Sequence, residues 1–158
     1  MTHMKKNILV VDDSALMRRV MCDIINSDSK FQATDYCRDG LEAYEKLKHT
    51  SYDGVVLDVN MPRMDGLQLL EKLQKEGIRA NVVMVSTLTD SREADVTILA
   101  MERGAIDFVA KPTNIIEAKG EAFKRQLLGI LNAVLATQKT AGGIRVLSLI
   151  HISEPTRL

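Results

Sequence analysis

Neither sign of charge is in excess in this sequence. Its 158 residues include 21 Lys and Arg against 21 Asp and Glu, so the formal net charge at neutral pH is zero. Without a global positive charge, the chain has no general electrostatic attraction to nucleic acid or to an anionic membrane surface. We therefore expect no nucleic-acid partner and no membrane partner, and a function that depends on a local group of residues.

Cysteines and long apolar runs are also scarce. The two cysteines, Cys22 and Cys37, lie in apolar surroundings without CxxC or Cys/His spacing, and two cysteines cannot form the disulfide scaffold of a chain this long. No apolar stretch approaches the roughly 20 residues of a membrane span, and no signal-peptide core follows Met1. These absences predict reduced core thiols and a cytoplasmic protein.

What the sequence does contain is a regular alternation of apolar, β-branched runs and segments with helical apolar spacing. The predicted strands are residues 8–11, 31–37, 52–57, 81–85 and 106–110. Each is followed by a predicted helix, with a weak apolar stripe at 91–103 and a long last helix ending near Val134. This alternation implies right-handed crossovers and one doubly wound α/β domain. We expect a flavodoxin-like fold, in which a five-stranded parallel sheet with the order 2-1-3-4-5 lies between two helical layers as a three-layer sandwich.

Acidic residues directly follow two of these strands. Asp12 and Asp13 follow the first strand, and Asp58 follows the third. The carboxyl ends of parallel strands share one edge of the sheet, so these carboxylates would repel each other unless a cation neutralised them. Oxygen ligands of this kind favour Mg²⁺. A carboxylate beside Mg²⁺ can attack a phosphoryl group, and we predict Asp58 as that nucleophile.

Two other strand ends carry groups that suit a bound phosphoryl. Ser86 or Thr87 offers a hydroxyl after the fourth strand, and Lys111 offers an ammonium after the fifth. Taken singly, these residues are more simply interpreted as a helix cap and a surface lysine, and the paired aspartates as a solvated turn. Suitable groups at four strand ends together favour a phosphorylation site.

Four stretches resemble the receiver domain of two-component response regulators: residues 10–14, 57–66, 85–86 and 104–112. The resemblance covers most of residues 5–113 and places a receiver domain at 5–134. It implies that a histidine kinase donates a phosphoryl group to Asp58. It also implies that Asp13, Asp58 and the backbone carbonyl of Asn60 bind Mg²⁺, with Asp12 acting through water.

The same resemblance implies a switch. Ser86 and Lys111 would contact the phosphoryl group, Phe108 would be the switch aromatic, and the peptide between Lys111 and Pro112 would be cis. Movement of Ser86 and Phe108 would repack the face formed by the fourth helix, the fifth strand and the fifth helix. The weak apolar stripe of the fourth helix fits a face that exchanges partners, and a short, poorly packed helix is the alternative.

Residues 12–19, 83–89 and 104–113 are similar to chemotaxis protein-glutamate methylesterases of the CheB type. That family joins an N-terminal receiver to a C-terminal serine hydrolase that demethylates chemoreceptors, which makes residues 135–146 the start of an interdomain linker. No GxSxG-like motif is present, so we expect the methylesterase domain to be missing, leaving only receiver self-phosphorylation and dephosphorylation chemistry. Residues 147–158 resemble a translated transposase-based sequencing adapter, and we expect a non-native tail.

Two other functions remain open. The first is a stand-alone receiver, or the regulatory half of another response regulator, that acts by protein–protein interaction; the zero net charge and the lack of a helix-turn-helix after Pro112 disfavour DNA binding. The second is an aspartyl-phosphate phosphatase, because Asp58-Val59-Asn60 resembles a degenerate DxD motif. It lacks the second aspartate that would act as general acid, so turnover of small phosphomonoesters is not expected.

Overall fold

The computed structural model describes residues 5–87 and 93–136, without the side chains of residues 93, 94 and 136. Five parallel strands form one sheet in the order β2-β1-β3-β4-β5. They are β1 (Lys6–Val11), β2 (Phe31–Cys37), β3 (Gly54–Leu57), β4 (Val82–Ser86) and β5 (Asp107–Ala110). The predicted flavodoxin-like fold and strand order are confirmed.

The helices follow the strands as predicted, and side-chain caps start the first three. They are α1 (Ala15–Asn26), α2 (Gly40–His49), α3 (Gly66–Glu76), α4 (Glu93–Glu102), α5 (Ile115–Ala118) and α6 (Glu121–Leu131), followed by a π-helical segment (Asn132–Ala136). Ser14, Asp39 and Asp65 each accept a hydrogen bond from the backbone N–H three residues on. Such caps satisfy an amide that has no partner within the helix.

The sheet is covered on both faces, which explains its nearly continuous apolar strands. One core cluster contains Ile8 and Val10 of β1 with residues of α1 and α6, and the other contains Leu9 and Val11 with residues of α2 and α3. This alternation confirms the three-layer sandwich. The weak stripe of α4 is also confirmed, since Ile98 is 57% exposed.

The last helical region differs from the single long helix that the apolar spacing predicts. Gly120 adopts an extended conformation, with ψ at 171°, and this separates α5 from α6. Leu135 is buried against Ile8 and Gly54, so the packed core extends to at least that residue. The first residue of the predicted linker (135–146) therefore packs in the core, while residues 137–146 and the predicted tail at 147–158 lie outside the described residues.

The two cysteines carry free thiols, as predicted, with Cys37 buried and Cys22 half-buried. Burial and the nearby Glu42 carboxylate raise the pKa of the Cys37 thiol to about 12. In the part of the chain that the structure describes, no helix is both long and apolar enough to cross a lipid bilayer.

Candidate functional site

Three predicted site residues meet at the carboxyl edge of the sheet. Asp12 follows β1 and Asp58 follows the adjacent strand β3, where the Asp58 N–H donates to the carbonyl of Val11 at 3.0 Å. Lys111, directly after β5, places its Nζ 2.8 Å from Asp12 Oδ2 and 3.2 Å from Asp58 Oδ2. Asp12 is fully buried and Asp58 is 3% exposed, so the lysine bridges two carboxylates that have almost no solvent around them.

Asp13 completes an acidic cluster that is open to solvent on one side. One carboxylate oxygen from each of Asp12, Asp13 and Asp58 lies within 4.8 Å of the other two, and Asp13 is exposed. Lys111 neutralises one of the three negative charges, which leaves two in excess when all three carboxylates are ionised. Oxygen atoms on opposite sides of a Mg²⁺ ion lie about 4 Å apart, given metal–oxygen distances of about 2.0–2.1 Å. The cluster therefore fits one hard divalent cation in both charge and spacing.

The buried charges of Asp12, Asp58 and Lys111 shift the pKa values of Asp58 and Lys111. Burial and the repulsion of Asp12 raise the pKa of Asp58 to about 6, although Lys111 opposes the rise. Burial alone would lower the pKa of Lys111, but the Asp58 and Asp12 carboxylates outweigh it and hold that pKa above its usual value. At neutral pH, Lys111 is an ammonium, and Asp58 is an anion more basic than an ordinary aspartate.

Ser86 and Phe108 lie on the neighbouring strands β4 and β5. Ser86 is buried at the end of β4, and its carbonyl accepts a hydrogen bond from the backbone N–H of Lys111 at 2.9 Å. Thr87, the other candidate hydroxyl, is half-buried and one residue farther from the strand. Phe108 is half-buried against the core cluster on the α2 and α3 side. Ser86 thus lies at the carboxyl edge of the sheet, whereas Phe108 lies two residues before the end of β5.

The predicted cis peptide before Pro112 is wrong for this structure, because no peptide bond in the described residues is cis. The two isomers of an X-Pro bond differ by only about 0.5–1 kcal/mol in intrinsic free energy, so local sequence does not decide between them.

The loop from β3 to α3 folds back onto the strand end. The N–H of Gly66 donates to the carbonyl of Val59 at 2.8 Å, and a Cβ on Gly66 would overlap the carbonyl oxygen of Asp58. Asn60, whose carbonyl is the fourth predicted metal ligand, is exposed two residues after Asp58. Glycine is required at position 66 because the loop passes directly against the backbone of Asp58.

Two residues of the site region were missed in the sequence. Asp39 is 5% exposed, and Arg63 places its Nε and Nη2 each 2.8 Å from Asp39 Oδ2. The sequence Asp39-Gly40 predicts only a turn. The position of Asp39 directly before a segment with helical spacing is the signal that could have identified it as an N-cap. Nothing in the local sequence indicates that Arg63 is its partner.

Comparison with known proteins agrees with this architecture. Residues 8–120 match the response regulator receiver domain family. The protein-glutamate methylesterase/protein-glutamine glutaminase of Pyrococcus horikoshii is 38% identical over 154 residues, which are 98% of this chain and 41% of that protein. Its counterpart in Salmonella typhimurium is 41% identical over 155 residues, 98% of this chain and 42% of that protein. The chain spans about two fifths of the length of these relatives.

Solved structures agree as well. The response regulator domain of Thermotoga maritima CheB superposes with a TM-score of 0.75 and 34% identity, covering 85% of this chain and 98% of that one. A chain of the CheX-CheY-BeF3-Mg complex from Borrelia burgdorferi superposes with a TM-score of 0.67 and 29% identity, covering 82% of this chain and 88% of that one. The chain therefore belongs to the response regulator receiver family, as the receiver domain of a CheB-like chemotaxis response regulator.

Proposed function

We propose that this receiver accepts a phosphoryl group on Asp58 and acts as a phosphorylation-dependent switch in chemotaxis signalling. The observation that carries the proposal is the buried Asp58 carboxylate, 3.2 Å from the Lys111 ammonium and clustered with Asp12 and Asp13. A buried nucleophile with a raised pKa, paired with a fixed cation, is typical of a reactive site and is costly to maintain for stability alone.

Mg²⁺ is the proposed cofactor. The ligands would be the carboxylates of Asp13 and Asp58 and the backbone carbonyl of Asn60, and Asp12 would bind the ion through a water molecule, as the resemblance to receiver domains implies. When bound, the ion supplies charge neutralisation for the phosphoryl oxygens. The Borrelia burgdorferi relative whose crystals contain BeF3 and Mg supports this assignment for a chain of the same fold.

Asp58, Lys111 and Ser86 would have separate roles in phosphoryl transfer. An Asp58 carboxylate oxygen forms a bond to phosphorus while the bond from phosphorus to the imidazole nitrogen of a chemotaxis-type histidine kinase breaks, which yields an acyl phosphate. Lys111 already lies within ion-pair distance of Asp58 and would neutralise a phosphoryl oxygen. The Ser86 hydroxyl, with Thr87 as the alternative, would donate to another oxygen.

The proposed output is a change in the face formed by α4, β5 and the last helices. Phe108 would link this face to the site, because it lies on β5 three residues before Lys111. In this proposal the receiver is the domain predicted at 5–134, with Leu135 packed on its core. The rest of the predicted segment 135–146 would begin a linker to a methylesterase domain, which the face would regulate in the cytoplasm. The relatives are more than twice as long as this chain, in agreement with a further domain in those proteins.

Labelling with acetyl phosphate in the presence of Mg²⁺ tests the proposal. We expect intact-protein mass spectrometry to show one added phosphoryl group, which hydroxylamine removes because it cleaves acyl phosphates. Asp58→Asn should abolish the label. The matched control is Asp65→Asn, which changes an aspartate at the other end of the same loop and keeps a good N-cap for α3. An unlabelled wild-type chain, or a label that survives Asp58→Asn, would show that Asp58 is not the acceptor.

A further inference from the structure

The loop between β3 and α3 contains a strained turn centred on Arg63. Arg63 has a φ of 68°, and within residues 5–87 and 93–136 no other non-glycine residue has a positive φ. The Met64 N–H donates to the Pro62 carbonyl at 2.7 Å, which closes a three-residue γ-turn around Arg63. Turns of this kind are rare, and such backbone strain persists only where the surrounding contacts impose it.

The contact that holds this turn is an ion pair between the exposed side chain of Arg63 and the buried carboxylate of Asp39. Both Nε and Nη2 of Arg63 lie 2.8 Å from Asp39 Oδ2, and the other oxygen of Asp39 accepts from the Glu42 N–H at 2.9 Å. Burial would raise the pKa of Asp39, but the Glu42 N–H and the Arg63 guanidinium together hold it below its usual value. Asp39 is therefore a charged anchor, fixed to the start of α2, that holds Arg63 in place.

A second contact ties the same turn to α2. The N–H of Gly40 donates to the carbonyl of Met64 at 2.9 Å, and a Cβ on Gly40 would overlap that carbonyl. At its other end the loop is closed by the bond from Gly66 to Val59. The segment that carries Asn60 is thus held between the end of β3 and the start of α2.

We propose that Asp39 and Arg63 are positioning residues for the metal site, because they hold the segment bearing the Asn60 carbonyl beside the aspartate cluster. This inference rests on the proposed function, in which that carbonyl binds Mg²⁺. Neither residue touches the ion. Their pairing offsets the strain of the γ-turn and fixes the loop that begins at Asp58 in one arrangement against the start of α2.

Titration of the full chain with Mn²⁺ tests the role of the Asp39–Arg63 pair without any phosphorylation step. Electron paramagnetic resonance measures the free ion and therefore the binding affinity. Asp39→Asn keeps an N-cap side chain for α2, and Arg63→Gly accepts a positive φ without strain. Each variant removes one member of the pair. We expect each to weaken Mn²⁺ binding on the order of tenfold, the lower end of the effect seen when a residue supporting a metal ligand is lost. The double variant should bind no more weakly than the single variants, since they break one shared contact.

Simple long-range electrostatics predicts a different result. Losing the positive charge of Arg63 would then strengthen cation binding, whereas losing the negative charge of Asp39 would weaken it. Opposite effects of the two variants, or unchanged affinity in both, would overturn the positioning role. The two variants are independent tests, so either one remains informative if circular dichroism shows that the other is unfolded.

The matched control is Arg38→Gln. Arg38 is an exposed arginine next to Asp39 whose guanidinium pairs with Glu42 of α2. It should leave the Mn²⁺ affinity within about twofold of the wild-type value, because an exposed pair contributes little. A wild-type chain that binds no Mn²⁺ would overturn the proposed metal site itself, whereas wild-type binding with unaffected pair variants would overturn only the role of Asp39 and Arg63.

Discussion

Replacing Asp58 by asparagine should stabilise the metal-free protein at neutral pH. The folded-state pKa of Asp58 is about 6, because burial and Asp12 disfavour its charge, whereas the ordinary value is 3.8. The folded state therefore binds this proton more tightly than the unfolded state does. The stability that the proton contributes is fully present below a pH of about 4 and is lost as the pH rises through about 6.

The size of the effect follows from the two pKa values. Each pH unit between them corresponds to about 1.4 kcal/mol, so the ionised carboxylate lowers the free energy of unfolding by ~3 kcal/mol above a pH of about 7. Asparagine has nearly the same shape and carries no charge. We expect the two proteins to be similarly stable near pH ~4 and the variant to be more stable by ~3 kcal/mol near pH ~7.5, a large part of the roughly 5–15 kcal/mol of a typical domain.

Urea unfolding followed by far-UV circular dichroism, in EDTA and across this pH range, measures the difference. Asp23→Asn is the matched control, because Asp23 is an exposed helical aspartate in a surface pair with Arg19 and should change stability by less than about 1 kcal/mol. The reasoning fails if the gain from Asp58→Asn does not grow with pH, or if the variant is less stable than the wild type near neutral pH.

Three further predictions concern the same edge of the sheet. Lys111→Met leaves two buried carboxylates without their cation and should lower the free energy of unfolding, measured by urea denaturation, by about 3–5 kcal/mol. The control Lys75→Met removes an exposed lysine and should change that free energy little. Equal effects of the two substitutions would contradict the argument. Gly66→Ala should lose about 1–3 kcal/mol and the acetyl phosphate label, because its Cβ overlaps the Asp58 carbonyl. Gly129→Ala, whose Cβ meets open space in α6, should instead gain about 0.5–1 kcal/mol, and the same sign for both glycines would count against the close approach. Saturating Mg²⁺ at about 100 times its dissociation constant should raise the wild-type free energy of unfolding by about 2.7 kcal/mol, and an equal rise in Asp58→Asn would place the ion elsewhere.

Much of the fold could be predicted because its signals are local. The apolar run at 8–11 ends in Asp12 and Asp13, and that change of character coincides with the end of β1. Ser14 precedes a run with helical spacing, and its side chain caps α1. The break at Gly120 was missed because an apolar repeat does not record the backbone conformation of one glycine between two helices.

The sequence predicted which residues meet at the candidate site better than it predicted the contacts between them. Its aspartates and lysine follow strands, so the topology of a parallel sheet brings them to one edge. The pair between Asp39 and Arg63 joins residues 24 positions apart through a γ-turn, and neither periodicity nor local motifs carry that information. The trans peptide before Pro112 was likewise beyond local prediction.

The sequence by itself determined which residues form strands, which chemical groups follow them and which family the chain resembles, because hydrophobic period and short motifs are properties of neighbouring residues. Only the tertiary structure decided how those groups interact. Lys111 meets Asp12 across 99 positions of sequence, and the raised pKa of Asp58 depends on burial and on charges from other strands. Such quantities arise from the exclusion of water and from distances through space, which exist only once the sheet and its helices have packed.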